Sequence, residues 1–215
     1  MSVQLPNGVT IALATAYGSP KTVSALTNAN PGVATSATHG LTSGDIIEVT
    51  SGWAKLNSRI VRVDDEAAGT FAIEGIDTTS TVAFPAGSGT GSVREITTFT
   101  QITQIMDVTT SGGDMQFVNY SFLEQDFETQ LPTQSSPMTM TIQIADDPSL
   151  PGYQAAKAAG EDRAVRALKI TYPSGAVAYY NGYVSFNETP TFTKNQIQVV
   201  TATFNLLARP TRYAA

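Results

Sequence analysis

Met138-Thr139-Met140-Thr141-Ile142-Gln143-Ile144 is the stretch whose reading settles the fold class. Met138, Met140, Ile142 and Ile144 alternate with Thr139, Thr141 and Gln143, so an extended chain here carries one apolar and one polar face. The same signal recurs upstream, in short β-branched segments separated by Gly, Pro, Asn and Asp. Asp45 to Val49, Arg59 to Val63, Thr70 to Ile73, Phe99 to Val108 and Met115 to Phe122 all read as strands. Asp64-Asp65-Glu66-Ala67-Ala68-Gly69 reads as a polar turn between two of them.

Downstream the period changes once. Asp146-Asp147-Pro148-Ser149 offers helix-starting chemistry, Leu150 to Ala159 is Ala-rich, and Gly160 is the expected stop. One helix is expected over about 150–159, with Tyr153 and Ala156 turned inward. Strand character resumes through Val165 to Tyr172, turns at Pro173-Ser174-Gly175, continues through Val177 to Phe186 and returns in Ile197 to Leu207. Pro210 is expected to take the tail out of the sheet. The reading is an all-β protein, a β-sandwich or barrel with one helix.

Composition fits a contact-forming surface. Of the 215 residues 41% are hydrophobic and only 14% charged, the difference being made up by Thr, Ser, Gly, Asn and Gln. Such a surface suits large permanent contacts, because burying unpaired charge is costly, and it equally suits extracellular binding modules, which composition alone does not separate from the first. The net charge of −6 and the absence of any Lys/Arg cluster disfavour gripping a phosphate backbone. With no cysteine there is no disulfide, thiolate or Cys-based metal chemistry. Met1-Ser2-Val3-Gln4-Leu5-Pro6 lacks the basic and apolar regions of a signal peptide, and no apolar run approaches a membrane span.

Two polar boundaries divide the chain. Gly18-Ser19-Pro20-Lys21 precedes a candidate compact unit, and Ala86-Gly87-Ser88-Gly89-Thr90-Gly91-Ser92 nearly closes it, with the composition of a flexible connector or long hairpin tip. The expected organisation is a main β domain of residues 1–23 and 93–215, with a small β module of residues 24–92 inserted and facing outward. Residues 24–97 hold eight acidic and four basic groups, a net −4 that leaves −2 for the rest. The near-neutral main domain is the better assembly surface.

Catalytic chemistry is hard to find. His39 is the single histidine and lies in the Gly-rich turn Thr38 to Asp45, where bonding to its own loop outweighs a catalytic role. Asp146-Asp147 reads as a turn and helix cap rather than a carboxylate dyad. Asp64-Asp65-Glu66 lacks calcium-loop spacing, and Gly87-Ser88-Gly89-Thr90-Gly91 lacks the Lys and helix of a phosphate loop. Tyr172, Tyr179, Tyr180 and Tyr183 either line a sugar-binding groove or, as strand alternation favours, divide between core and interface. No catalytic, cofactor or metal residue is assigned, and no enzymatic activity is expected.

The segment Leu123 to Pro137 stands out. It joins two clear strands and is longer than hairpin loops usually are. Leu123, Phe127 and Leu131 recur every four residues beside Glu124, Asp126 and Glu128, with Pro132 following. Such a loop either folds on its own domain or reaches a neighbour, and exposed apolar anchors favour the neighbour. These seven residues are the candidate inter-subunit contact.

The C-terminal half resembles the tail tube proteins of lambda-like, long-tailed bacteriophages. Carrying the resemblance are Pro148 to Ala155, Ala167 to Gly175, Tyr179 to Phe186, Val200 to Leu206 with Arg209-Pro210-Thr211, and Leu5-Pro6-Asn7-Gly8. The unit over 24–92 is similar to small phage-tail modules described as like the first catalytic-cysteine half-domain of ubiquitin-activating enzymes. Its carriers are His39-Gly40-Leu41 with Gly44-Asp45, Leu56-Asn57-Ser58-Arg59, Thr70-Phe71 and Gly75-Ile76-Asp77-Thr78. The resemblance implies a virion structural protein, assembled in the host cytoplasm, whose hexameric rings stack into a tube. DNA would pass through the lumen without specific binding, and tape measure, terminator and baseplate proteins would be its other partners. Alternatives are a terminator or baseplate ring, or a carbohydrate-binding β-sandwich module.

Overall fold

The structure is a computed structural model and describes residues 7–215, so Leu5 and Pro6 of the N-terminal resemblance lie outside the described residues. Its first strands are β1 (Thr10–Tyr17), β2 (Lys21–Val23), β3 (Ala25–Leu26), β4 (Gly32–Thr35), β5 (Ile46–Ser51), β6 (Ile60–Ala67), β7 (Thr70–Ile73) and β8 (Gly91–Ile102). There follow β9 (Ile105–Ser111), β10 (Met115–Tyr120), β11 (Thr129–Ser135), β12 (Thr139–Ala145), α1 (Pro151–Asp162), β13 (Val165–Thr171), β14 (Val177–Thr191), β15 (Val199–Leu206) and β16 (Thr211–Tyr213). The all-β chain with one helix is what the sequence pattern required.

Fourteen strands form one curled antiparallel sheet in the order β3-β4-β7-β6-β5-β8-β1-β13-β14-β15-β12-β9, with β16 added beside β14 and β2 beside β8. Strands β10 and β11 form a separate two-stranded sheet. Met140, Ile142 and Ile144 of β12 are buried while Gln143 is exposed, as the alternation demanded. They join Ile11, Leu13, Leu168, Ile170, Val200 and Phe204 in one hydrophobic cluster closed by α1. A second cluster gathers around Trp53, Phe71, Ile47, Val61 and Val93. Between the two lies a third, formed by Ala14, Ile60, Ile96, Ala167, Tyr179 and Tyr213.

Strand β8 links these layers. Gly91–Val93 pair with β2, Gly91–Glu95 with β5, and Ile96–Ile102 with β1, all along twelve continuous residues. The chain does not use Ala86 to Ser92 as a loose tip. Gly89 is buried with its Cα against the Trp53 ring, and Trp53 donates its indole N–H to the Pro85 carbonyl at 2.7 Å.

Four expectations are corrected. Phe99 to Val108 is not one strand: the ladder breaks between β8 and β9 at Gln104, which takes φ +58°. Helix α1 runs Pro151–Asp162, past the expected end at 159. Gly160 does not stop it, because the missing side chain lets the helix lie against Phe186, and the left-handed turn comes at Arg163. Leu150, not Asp146 or Asp147, is the N-cap, and no side chain caps the helix. The tail does not leave the sheet at Pro210, since Thr211–Tyr213 pair with Val177–Tyr179 and bury Tyr213.

Candidate functional site

The exposed apolar surface is concentrated on β10, β11 and the tip between them. Met115, Phe117, Val118, Phe122, Leu123, Phe127 and Leu131 all face solvent. Leu123 is fully exposed and Phe127 is 70% exposed. Leu123 to Pro137 is therefore only partly a loop. Thr129–Ser135 turn back as β11, so Leu131 and Pro132 sit in a strand and the tip shortens to residues 121–128.

Phe117 pairs with Pro132 and Val118 with Leu131. Since successive residues point to opposite faces, both faces of the hairpin are apolar. Sequence reasoning took Met115 to Phe122 as an ordinary strand. The signal it passed over is parity: Met115 and Phe117 fall on one face, Val118 and Tyr120 on the other, so neither face is built for water. Pro132 lacks an N–H, which suits β11, whose outer side pairs with no strand among the described residues.

The base of the hairpin is fixed. Gly112 and Gly113 take φ +80° and +88°, and a side chain on Gly112 would collide with the Pro137 carbonyl. Ser136 donates its N–H to Asp114 O at 2.8 Å, and the hydroxyls of Ser111 and Thr139 are 2.6 Å apart. A groove of 510 Å³ runs beside this base, between Ser135–Met138 and Leu206–Pro210. At the tip, Asn119 donates its amide to Glu128 at 3.1 Å, while Glu124 and Asp126 stand in solvent. Residues 114–137 contain Asp114, Glu124, Asp126 and Glu128 and no Lys or Arg, which makes this a purely acidic projection.

The other singled-out residues have local roles. His39 is buried, with Nδ1 accepting from Leu41 N–H at 3.1 Å and Nε2 donating to Ala67 O at 3.0 Å, beside the Phe71 ring. Asp147 accepts the Ser149 hydroxyl at 2.6 Å and its N–H at 3.0 Å, which holds its carboxyl below the usual range. Asp146 accepts the Tyr153 hydroxyl at 3.2 Å. Glu66 accepts from both the hydroxyl and N–H of Ser43. Tyr179 and Tyr180 are buried in different clusters while Tyr183 is exposed, so the four tyrosines do not form one groove. Among the described residues no group of acidic or His side chains could hold a metal ion, and no helix is long and apolar enough to cross a membrane.

Sequence reasoning also missed the polar junction between the clusters. The Glu48 carboxylate pairs with Arg94, accepts from Asn181, and faces Tyr17, over whose ring the Arg94 guanidinium lies at 4.1 Å. Burial raises the Tyr17 hydroxyl pKa, although the N–H of Ala167 donates to it at 2.9 Å. Tyr213 accepts from Arg62 N–H at 2.7 Å and donates to Glu74 O at 3.2 Å, and burial pushes its pKa up to about 12.

No curated protein sequence matches the chain. Among solved structures, a chain of an extracellular contractile injection system, the PVC sheath-tube complex in its extended state, is similar at 15% identity. The similarity covers 50% of this chain and 80% of that one with a TM-score of 0.34, too low to carry any argument. The family model described as phage tail tube protein, TTP, matches residues 51–215, which includes the whole hairpin and all of the sheet from β6 onward. This all-β chain belongs to the phage tail tube protein family and is a structural subunit of the virion tail tube.

Proposed function

We propose that this subunit polymerises into stacked hexameric rings forming the DNA conduit of a long-tailed, lambda-like phage, and that the hairpin of residues 115–135 seats on a neighbouring copy. The observation that carries this is the hairpin itself. An isolated two-stranded hairpin is marginal in water. This one nevertheless presents apolar side chains on both faces, and Met115, Phe117, Val118, Phe122, Leu123, Phe127 and Leu131 are exposed among the described residues. Fully burying each such side chain contributes roughly 1.5–3 kcal/mol. Leu123, Phe127 and Leu131 are the anchors, with Glu124, Asp126, Glu128 and Pro132 on the same contact.

Strand β9 supplies the lateral contact. It is the last strand on its side of the sheet, and from Met106 to Ser111 its residues are exposed. An unpaired edge is a template for pairing with another chain, and ring closure removes it. Residues 24–92 form the outward-facing module on this reading. The acidic chain gives a lumen that DNA slides through without being held. Assembly takes place in the host cytoplasm, with tape measure, terminator and baseplate proteins at the ends.

Negative-stain electron microscopy of the purified protein over a range of concentrations tests this. Rings or hollow tubes are expected for the native chain, with a sharp loss for Phe127→Asp at unchanged monomer folding. Monomers at every concentration, or full assembly by Phe127→Asp, would overturn the assignment of the hairpin.

A further inference from the structure

Resting on the reading of the hairpin as an inter-subunit contact, we infer that its receiving surface is the β14–β15 turn, residues 192–198, of a copy in the next ring. Strand register sets the geometry. Thr139, at the start of β12, lies between Ser111 and Asn205, and Ala145, at its end, pairs with Val199. The hairpin departs from the Ser111/Thr139 end, and the 192–198 turn caps the Val199/Ala145 end. The seven residues of β12 separate them, a span of about 23 Å at the usual rise per residue.

The turn also holds large apolar side chains in water, as do Val82, Met106 and Leu207 elsewhere. Phe192 is 72% and Ile197 62% exposed, on a loop held by Gln196 N–H donating to Thr193 O at 3.1 Å. Lys194, exposed on the turn, is the one base there for the hairpin's acids to meet. The acids at this end are already engaged, Glu188 by Lys157 at 2.8 Å, Asp146 by the Tyr153 hydroxyl and Asp147 by Ser149, although Asp146 also bonds through its N–H to Gln198 O at 3.0 Å. The hairpin offers carboxylates and no base. Hairpin against hairpin would instead bring acid to acid, which opposes association.

Two different, complementary patches on one chain make a heterologous contact, and one that does not close on itself propagates as an open stack. The patches lie at the two ends of the strands, while the β9 edge runs alongside them. End contacts therefore join successive rings, and the edge remains for neighbours within a ring.

The chain has no cysteine, so introduced thiols report a single pair of positions. Leu123→Cys and Ile197→Cys subunits, co-assembled and treated with a short bis-maleimide, are expected to give a covalent dimer containing one of each. Dimers from Leu123→Cys alone, with none in the mixture, would overturn the inference. In parallel, the double variant Phe192→Ser/Ile197→Ser is expected to cut tube yield about tenfold or more. It should leave single rings and the monomer melting transition in place. Normal tubes from that variant, where Phe127→Asp makes none, would sink the receiving surface and leave the hairpin reading standing. Normal tubes from Phe127→Asp would remove the hairpin reading, and this inference with it.

Discussion

The side-chain amide of Asn181, on β14, donates to the carboxylate of Glu48, on β5, at 2.8 Å, and also to the Ser58 carbonyl at 3.0 Å. Asn181 is only 1% exposed. One short amide thus bridges the sheet around Met140 and Phe204 to the strands around Trp53. Glu48 is held from its other side by Arg94, so one oxygen is ion-paired and the other accepts a hydrogen bond.

Replacing that amide by a carboxylate is the sharpest test of the junction. Asn181→Asp removes both donated hydrogen bonds and sets a second acid against Glu48 in a buried site. Destabilisation by about 3–5 kcal/mol is expected at pH 7, read by urea unfolding. The loss should shrink at pH 5, where the introduced carboxyl, raised by burial and like charge, holds its proton. An unchanged midpoint at pH 7 would show that the junction contributes nothing.

Tyr213 ties the C-terminal strand to the same region. Tyr213→Phe leaves the buried Arg62 N–H and Glu74 carbonyl without the hydroxyl, an expected loss of about 1–3 kcal/mol at neutral pH.

The same hydroxyl gives an alkaline signature. Its folded pKa, about 12, lies above the ordinary tyrosine value of 10.0, so the folded state keeps a proton that the unfolded chain releases. That contribution is complete below pH 10 and is lost as pH rises toward 12. Between those values stability should fall more steeply in the native protein than in Tyr213→Phe. Equal slopes would show that the hydroxyl is not held in this environment.

Gly152 sits in the first turn of α1, where a Cβ would come within 2.6 Å of Ile102 Cα. Gly152→Ala must push the helix off β8, at an expected cost of about 1–3 kcal/mol in thermal unfolding. The better helix propensity of alanine does not offset a backbone clash. A stabilised variant would contradict the close approach.

Gly112 is the corresponding probe of assembly. Gly112→Ala places a side chain at φ +80° and against Pro137, re-aiming the hairpin while leaving the three hydrophobic clusters untouched. Tube yield should fall far more than the melting temperature does. Parallel losses of both would instead mark Gly112 as a folding residue.

Much of this was readable from residue pattern wherever a strand has one wet and one dry face. The alternation of β12 is of this kind. Pattern failed where both faces are covered or both are bare. In β14, Ala178 to Gly182 are buried in succession because the strand is covered on both sides, so polar Asn181 gave no hint of its place. Strand β11, with Pro132 among Thr and Gln, has no dry face at all. The break at Gln104 carries neither Gly nor Pro, and only the three-dimensional turn imposes its φ. For the candidate contact, the sequence marked Leu123, Phe127 and Leu131. The opposing residues Met115, Phe117 and Val118 were hidden inside an apparently ordinary strand.

Strand β8 carries one further consequence. Its twelve residues serve the pairing with β5 at one end and with β1 at the other without a joint between. A torque applied to the body around Trp53 should therefore pass along this strand toward the strands around Leu13, through the stretch where its ladder with β1 shifts register between Ala14 and Tyr17.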